Sequence, residues 1–226
     1  MMPFFRKSES EACRRYLTEC RRRVPGKTSL SDLRFVVIDT ETSGFKVGKD
    51  RILSLALFET VDGRIDLARS RKWIVFQPDI TPTASTAIHG ILPSEIRKGT
   101  REQDLLEELI PLLSGAVVVG HHIRFDAAMM NEMMLRCMKT RFRNRIVDTA
   151  HMAMNELIPF HRTGYANQRP PSLDEVCAQL DLPVIARHTA EGDAFVTAEV
   201  FLMLCGRIRR RLAGPPQIQH LPIRKF

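Results

Sequence analysis

The order of its predicted elements places this chain in the mixed α/β class, with helices packed on one sheet. Three strands come first, near residues 34–39, 51–59 and 71–77. Short links join them, so we expect an antiparallel meander. Helices then alternate with short apolar strands at 116–119 and 146–147. This order favours a mixed sheet over an all-β or an all-α fold.

The composition is that of an ordinary globular domain. The 226 residues, 44% apolar and 27% charged, suit one domain with extensions. No apolar run approaches the length of a membrane span, and the first residues lack the apolar core of a signal peptide. The five cysteines are scattered and form no Cys-x-x-Cys pair, so neither a disulfide framework nor a zinc knuckle is expected. We therefore predict a cytoplasmic protein with no membrane partner.

The positive charge is concentrated at the two ends of the chain. Residues 1–34 hold nine Lys and Arg against four acids, and residues 206–226 hold six against none. We therefore predict a basic N-terminal helical extension (1–33), a body (34–205) and a basic C-terminal tail (206–226). Basic ends suit a polyanion such as nucleic acid, although merely solubilising tails would have the same composition.

A helix is predicted over roughly 9–23 of the N-terminal extension. Ser8 and Glu11 fit a capping box, apolar residues recur at helical spacing, and Pro25-Gly26 ends the pattern. The apolar stripe is narrow and rich in cysteine. This favours packing against the body over binding to a membrane surface.

The first strand ends in two carboxylates. Phe35 to Ile38 are four apolar residues typical of a buried strand, and Asp39 and Glu41 follow at i and i+2. Side chains two apart on an extended chain point to the same face, so these acids repel each other unless a proton or a cation lies between them. Hard divalent cations with oxygen ligands meet that need. For this pair alone, surface acids at a strand end remain the alternative.

The middle of the chain predicts a loop and two helices. The loop runs through Ile88-His89-Gly90, and Thr100 with Gln103 fits a capping box for the helix after it. A second helix starts near Phe125 and carries a methionine stripe suited to core packing. The last helix of the chain is predicted from about 190 to 205.

Two more acids and a histidine lie at or just before helix starts. Asp126 begins the methionine-rich helix and Asp193 lies in the first turn of the last helix; each alone suits the helix dipole. Together with Asp39 and Glu41 they are enough to hold two Mg²⁺ or Mn²⁺ ions about 4 Å apart, the arrangement used for in-line attack on phosphodiesters. His188, five residues before Asp193, has the chemistry of a general base.

Three segments resemble the motifs of the DEDDh 3′-5′ exonucleases. This is the superfamily of the proofreading epsilon subunit of bacterial DNA polymerase III, of ribonuclease T and of oligoribonuclease. The segments are Asp39-Thr-Glu41, His121-His-Ile-Arg-Phe-Asp126 and His188-Thr-Ala-Glu-Gly-Asp193. Ile88-His89-Gly90 and Asp148-Thr149 resemble further landmarks of the family. The resemblance spans about 34–205, and the His-x4-Asp spacing is that of the histidine branch.

The resemblance implies a ribonuclease H-like fold, a five-stranded mixed sheet flanked by helices. It also implies two Mg²⁺ or Mn²⁺ ions, both bridged by Asp39. Glu41 and Asp193 would ligate the ion that holds the attacking water, and Asp126 would serve chiefly the second ion. His188 would take the proton from that water, and the product would be a nucleoside 5′-monophosphate released from a 3′ end.

The resemblance further implies contacts with the terminal nucleotide. The residues expected near it are Thr40, Thr42, Gly44, Ile88 and His89. His122 stands where members often carry asparagine. Because an imidazole differs from an amide in shape and in hydrogen bonding, His122 is where this chain departs from the family in placing the 3′-terminal sugar.

The expected substrate is a single-stranded 3′ end, with DNA favoured over RNA because the separation of Asp39 and Asp193 is close to that of polymerase-type proofreaders. The alternatives are an exoribonuclease acting on RNA ends or short oligonucleotides, a non-catalytic nucleic-acid-binding module and a polymerase accessory. A DNA polymerase or a sliding clamp is a candidate partner, with clamp-binding peptides at 179–184 or 217–223, although helical spacing favours burial of the first. One Trp and two Tyr indicate no aromatic platform for single strands.

Overall fold

A mixed six-stranded sheet forms the centre of the computed structural model, which describes residues 11–79, 89–161, 168–212 and 214–226. The strand order is β3-β2-β1-β4-β5-β6. The strands are β1 (Phe35–Thr42), β2 (Ile52–Val61), β3 (Arg64–Ile74), β4 (Val117–Gly120), β5 (Arg145–Asp148) and β6 (Arg224–Lys225). The helices are α1 (Glu11–Arg21), α2 (Pro93–Ile96), α3 (Glu102–Leu113), α4 (Arg124–Met138), α5 (Thr149–Glu156), α6 (Leu173–Gln179) and α7 (Ala190–Leu212). Short 3₁₀ helices lie at Leu30–Asp32, Ile158–Phe160 and Ile218–His220.

The predicted antiparallel meander is confirmed, since β1 pairs antiparallel with β2 and β2 with β3. β1 pairs in parallel with β4, and β4 in parallel with β5. The carboxyl ends of these three strands therefore meet at one edge of the sheet, where Asp39 and Asp148 lie. The mixed α/β class is also confirmed. The predicted count of five strands is wrong by one, because residues near the end of the chain add β6 antiparallel to β5.

Both faces of the sheet are covered, which explains why β1 begins as a continuous apolar run. Val36 and Ile38 face a core shared with α1, α3 and α4, whereas Phe35 and Val37 face a core shared with α5, α6 and α7. The same alternation holds from Leu55 to Phe58 of β2. A central strand buried on both sides is a rigid support for the acids at its end.

Helix α1 is attached to the sheet by a buried hydrogen-bond network. The fully buried Tyr16 hydroxyl donates to Asn144 Oδ1 (2.8 Å) and accepts from the Arg143 backbone N–H (2.7 Å). Asn144 Nδ2 donates to the carbonyls of Leu113 (2.7 Å) and Ala116 (2.9 Å). The predicted extension therefore packs on the body. The predicted cap at Ser8 lies outside the described residues.

The C-terminal segment is also part of the fold. Helix α7 ends at Leu212, not near Cys205 as predicted, because Leu204 and Ile208 continue its buried face. Ile218 and Leu221 are buried after it, and the Phe226 ring packs against Phe142 at 5.4 Å between centroids. The described tail thus supplies core side chains besides its charges.

The start of α3 differs from the prediction. The N-cap is Arg101 rather than Thr100, and it makes no side-chain capping hydrogen bond. Thr100 instead forms a parallel β-bridge with Val75, so its backbone N–H and carbonyl are hydrogen-bonded to the end of β3 and the residues after it. Across the described ranges, no helix combines the length and the apolar character needed to cross a membrane.

Candidate metal and nucleotide site

Three carboxylates meet at the carboxyl edge of the sheet. Asp39 and Glu41 come from the end of β1, and Asp193 comes from the first turn of α7. One oxygen from each lies within 4.8 Å of the other two. Oxygen ligands at this spacing suit a hard divalent cation, so the chemistry of this group fits the expected Mg²⁺ or Mn²⁺.

The start of α7 is held against the loop before it. The Thr189 hydroxyl donates to the Ala186 carbonyl (2.7 Å) and accepts from the Gly192 N–H (3.1 Å). A Cβ on Gly192 would collide with the Ala186 carbonyl, so only glycine allows this close approach. The contact fixes where Asp193 emerges.

Asp126 lies beside the group rather than within it. Its buried Oδ1 accepts hydrogen bonds from the Thr40 hydroxyl (2.6 Å) and the Thr40 backbone N–H (3.1 Å). Thr40, predicted as a nucleotide contact, thus orients a predicted metal ligand. Asp126 is still close enough for its charge to raise the pKa values of Asp39 and Glu41.

The electrostatics of the site favour bound protons or cations. Burial raises the pKa of Asp39 well above its ordinary value, and the charges of Asp126, Asp193 and Glu41 raise it further. Burial, then Asp193 and Asp126, raise the pKa of Glu41 to about 7. Burial also raises the pKa of Asp126 to about 6, although the hydrogen bonds from Thr40 oppose that shift. A divalent cation would relieve this repulsion directly.

Arg187 is a member of the site that the sequence pattern did not reveal. Its guanidinium forms an ion pair with Asp193 and another with Asp174 of α6, where Nε lies 2.5 Å from Oδ1. Its charge lowers the pKa values of Asp39 and Glu41, against the effect of burial. The sequence signal that could have identified Arg187 is its position next to His188, whereas its ion-pair partners, Asp174 and Asp193, are apparent only from the tertiary structure.

His188 lies on an exposed loop and adopts a left-handed backbone conformation (φ 59°). It is not a member of the three-carboxylate group. The structure therefore places it next to Arg187, near the site but outside the metal-ligand group.

The two neighbouring histidines have different surroundings. His121 is buried between the Thr149 hydroxyl (2.9 Å) and the Pro171 carbonyl (3.0 Å), and burial lowers its pKa to about 4. His122 is exposed, has a positive φ of 55°, and donates its backbone N–H to Asp148 Oδ1 (3.1 Å). His121 therefore anchors the segment, and His122 presents its ring to solvent.

The turn after the acids is tightly held. The Thr42 hydroxyl donates to the Gly44 carbonyl (2.9 Å), and Asp50 accepts from the Ser43 hydroxyl (3.0 Å) and the Lys46 N–H (2.7 Å). A Cβ on Gly44 would lie 2.7 Å from an Asp50 oxygen. Thr42 and Gly44 thus shape the backbone beside the site.

His89, the remaining predicted contact, has a buried ring. Its Nδ1 accepts from the Ile91 N–H (3.1 Å), while Nε2 is buried without a partner among the described residues. Because Nδ1 accepts a hydrogen bond, it carries no hydrogen, and the ring hydrogen is on Nε2; burial lowers the pKa of this ring. The prediction for Ile88 lies outside the described residues.

Two aromatic rings flank the acids, although the aromatic count indicated no such surface. Phe45, directly after Gly44, is 82% exposed. Its ring centroid lies 6.0 Å from that of Phe125, the residue before Asp126. Their position next to two acid motifs was the sequence signal that could have identified them.

Comparison with known proteins places this site in a family. The sequence model of the RNase T family, described as Exonuclease, matches residues 36–201 of this chain. A DNA polymerase III subunit epsilon-like protein of Rhodobacter capsulatus is 32% identical over 188 residues, which cover 82% of this chain and 25% of that protein. DNA polymerase III subunit epsilon of Treponema pallidum is 29% identical over 167 residues, 74% of each protein.

Among solved structures, E. coli Exonuclease I in complex with a dT13 oligonucleotide is similar to this chain. The TM-score is 0.64 at 19% identity, over 80% of this chain and 42% of that one. This likeness confirms the predicted ribonuclease H-like fold. The chain spans about a quarter of the R. capsulatus relative and less than half of the Exonuclease I chain.

Proposed function

The chain belongs to the RNase T exonuclease family, and on that premise we propose that it is a 3′-5′ exonuclease of DNA. It hydrolyses the last phosphodiester bond of a preferably single-stranded 3′ end and releases a nucleoside 5′-monophosphate. The observation that carries this proposal is the convergence of Asp39, Glu41 and Asp193, with Asp126 held beside them. Relatives named as polymerase epsilon subunits and a DNA-bound Exonuclease I support the choice of DNA.

In this proposal the four acids would hold two Mg²⁺ or Mn²⁺ ions. Such ions stabilise the charge that develops on the phosphate and make water a better nucleophile. Asp39, on the central strand and beside Asp126, is placed to serve both ions. Glu41 and Asp193 would complete the first site, and Asp126, oriented by Thr40, would serve the second.

His188 is assigned the role of general base, which accepts a proton from the attacking water. It lies five residues before Asp193 on the loop that Thr189 and Gly192 hold against α7. The ion pairs of Arg187 connect the same loop to both α6 and α7. These contacts hold the loop that carries His188 next to the start of α7, where Asp193 lies.

The terminal nucleotide is bound by groups that the protein leaves available. His122 offers an exposed imidazole, and His89, the other predicted histidine contact, has a buried ring whose Nε2 lacks a partner among the described residues. Phe45 and Phe125 supply an aromatic surface on which an unpaired base can stack. Stacking needs a base free of its complement, which supports the preference for single strands. Ile88 and the turn containing Thr42 and Gly44 complete the expected contacts.

The deciding experiment is a time course on 3′-labelled and 5′-labelled DNA and RNA, with Mg²⁺, Mn²⁺ or EDTA. We expect 5′-mononucleotides released from DNA 3′ ends with either metal and none in EDTA. Asp39→Asn should abolish release, whereas Asp62→Asn, at the exposed β2–β3 turn, should not. Equal activity in EDTA or in Asp39→Asn would overturn the assignment, and faster cleavage of RNA would establish the exoribonuclease alternative.

Association with a DNA polymerase is a second proposal, favoured by the names of the epsilon relatives. The clamp-binding peptides are less well supported. Leu180 is buried at the end of α6, and Ile218 and Leu221 are buried in the tail. Pull-down with purified polymerase subunits would test the association, and absence of a complex at micromolar concentrations would exclude a stable one.

A further inference from the structure

Three basic segments, distant in sequence, meet near the start of β5, at the end of the parallel strands opposite to the acids. They are the end of α1 with the residues after it, the turn between α4 and β5, and β6. We call this the distal basic surface. Its members are Arg21, Arg22, Arg23, Lys139, Arg141, Arg143, Arg145, Arg224 and Lys225, and the ranges 21–23, 139–145 and 224–225 contain no acid.

Specific contacts bring the segments together. Arg145 Nη2 donates to the Arg22 carbonyl (2.6 Å), which joins β5 to the end of α1. Arg145 lies opposite Lys225 in the β5–β6 pairing. The Arg143 N–H donates to the buried Tyr16 hydroxyl (2.7 Å). The surface is therefore built on buried core contacts.

Most of these charges have no ion-pair partner among the residues that the structure describes. All nine side chains except that of Arg145 are exposed. Arg22 forms an ion pair with Glu19 (3.0 Å), but within the described ranges no ion pair or side-chain hydrogen bond holds the guanidinium groups of Arg141 and Arg143. So many unpaired cations produce a strong local positive potential, which attracts a polyanion.

The register of the sheet gives the distance from the acids. Arg145 is level with Val117, which is level with Phe35, and Asp39 lies four residues further along β1. At about 3.3 Å per residue this is roughly 13 Å along the strands, and two strand spacings add roughly 10 Å across them. The separation between these backbone positions is therefore about 16 Å. Because both faces of the sheet are covered, a bound strand follows the surface, and at about 3.4 Å per nucleotide it needs at least about five nucleotides to cover this distance.

We propose that the distal basic surface binds the phosphate backbone of the substrate strand, at least about five nucleotides from the 3′ end in the acid site. The identity of the strand as substrate rests on the proposed function, whereas the binding itself does not. Contacts of Arg and Lys with phosphate are independent of sequence. The surface would thus hold long strands and leave the chemistry unchanged.

The first test is a salt titration of binding, measured by fluorescence anisotropy in EDTA with a labelled single strand of about 20 nucleotides. The variant is Arg141→Gln/Arg143→Gln, in which both side chains are exposed. The matched control is Arg64→Gln/Arg71→Gln on β3, which is the outer strand on the side of the sheet away from β6. Each phosphate contact contributes about 0.7 to the slope of log K against log salt. We expect the slope to fall by about 1.4 in the variant and to stay unchanged in the control.

Arg21→Gln/Arg23→Gln provides an independent variant on another element and should lower the slope similarly. In Mg²⁺, both variants should raise KM for the long strand with kcat unchanged, and neither should affect a dinucleotide. An unchanged slope, an equal fall in the control, or an equal loss on the dinucleotide would overturn the proposal. A slope that depends on Arg141 and Arg143 in a protein that cleaves nothing would instead preserve the surface and refute the exonuclease assignment.

Discussion

The hydrogen bond from the Thr40 hydroxyl to Asp126 offers a precise test of how the site is assembled. Thr40→Val keeps the shape of the side chain and removes only the donor, at a position that is 8% exposed. Asp126 Oδ1 would then keep the Thr40 backbone N–H at 3.1 Å and lose the shorter bond at 2.6 Å. Thr40→Ser, which keeps the hydroxyl, is the matched control.

The magnitude follows from the type of bond. A hydrogen bond to a charged group is worth about 1.5–3 kcal/mol, which corresponds to roughly a 10- to 150-fold change in an equilibrium constant. Burial strengthens the bond, because water does not compete for the carboxylate. We therefore expect Thr40→Val to lose at least about tenfold in apparent Mg²⁺ affinity, and Thr40→Ser to stay near wild type.

The assay is a Mg²⁺ titration of kcat/KM on a single-stranded oligonucleotide, with thermal unfolding to compare the folded fraction of the variants. A Thr40→Val enzyme within twofold of wild type at every Mg²⁺ concentration would refute the role of this hydroxyl. A defect in Thr40→Ser as large as that in Thr40→Val would show that loss of the hydroxyl is not the cause, because serine retains the donor.

Three further outcomes are expected. Metal-free protein should lose thermal stability as pH rises from about 5 to 8. The reason is that the pKa is about 7 for Glu41 and about 6 for Asp126 in the folded state, which therefore binds more protons than the unfolded chain in this range. Saturating Mg²⁺ should reduce this loss, and a thermal unfolding midpoint that rises over the same pH range would contradict the electrostatic account. His188→Ala should lower kcat by roughly 10²–10⁴, as for a lost general base, with binding in EDTA unaffected; an unchanged kcat would remove it from that role. Tyr16→Phe should lower the free energy of unfolding by about 1–3 kcal/mol, since it leaves buried Asn144 Oδ1 without its donor; denaturant titration would check this, and a loss under half a kilocalorie per mole would argue against it.

The sequence predicted best what depends on local periodicity. Asp39 and Glu41 share a face because they lie two apart on a strand, and β1 was recognised because it is buried on both sides. Asp193 could be placed in the first turn of a helix from its neighbours alone. The prediction that these acids meet required the resemblance to a family, since the number of residues between two positions does not give the distance between them in the fold.

Features that depend on distant partners escaped prediction. Arg187 is one cation among many until α6 brings Asp174 to it. The Arg-rich end of the chain was interpreted as a tail because charge masked its buried positions, Ile208 and Ile218. Deleting residues 206–226 would therefore remove core side chains together with the charges, and point substitutions are the better test of charge.

The buried bond between Tyr16 and Asn144 makes α1 and the sheet a single rigid body. Arg145 and Asp39 lie on strands of this sheet, so strand pairing fixes the distance between them, while the Tyr16 bond fixes the arginines after α1 relative to both. Digestion should be processive while the strand reaches across this span and become distributive once it is shorter. A gel of the reaction would show a pause at one length of at least about five nucleotides, displaced or absent in Arg141→Gln/Arg143→Gln.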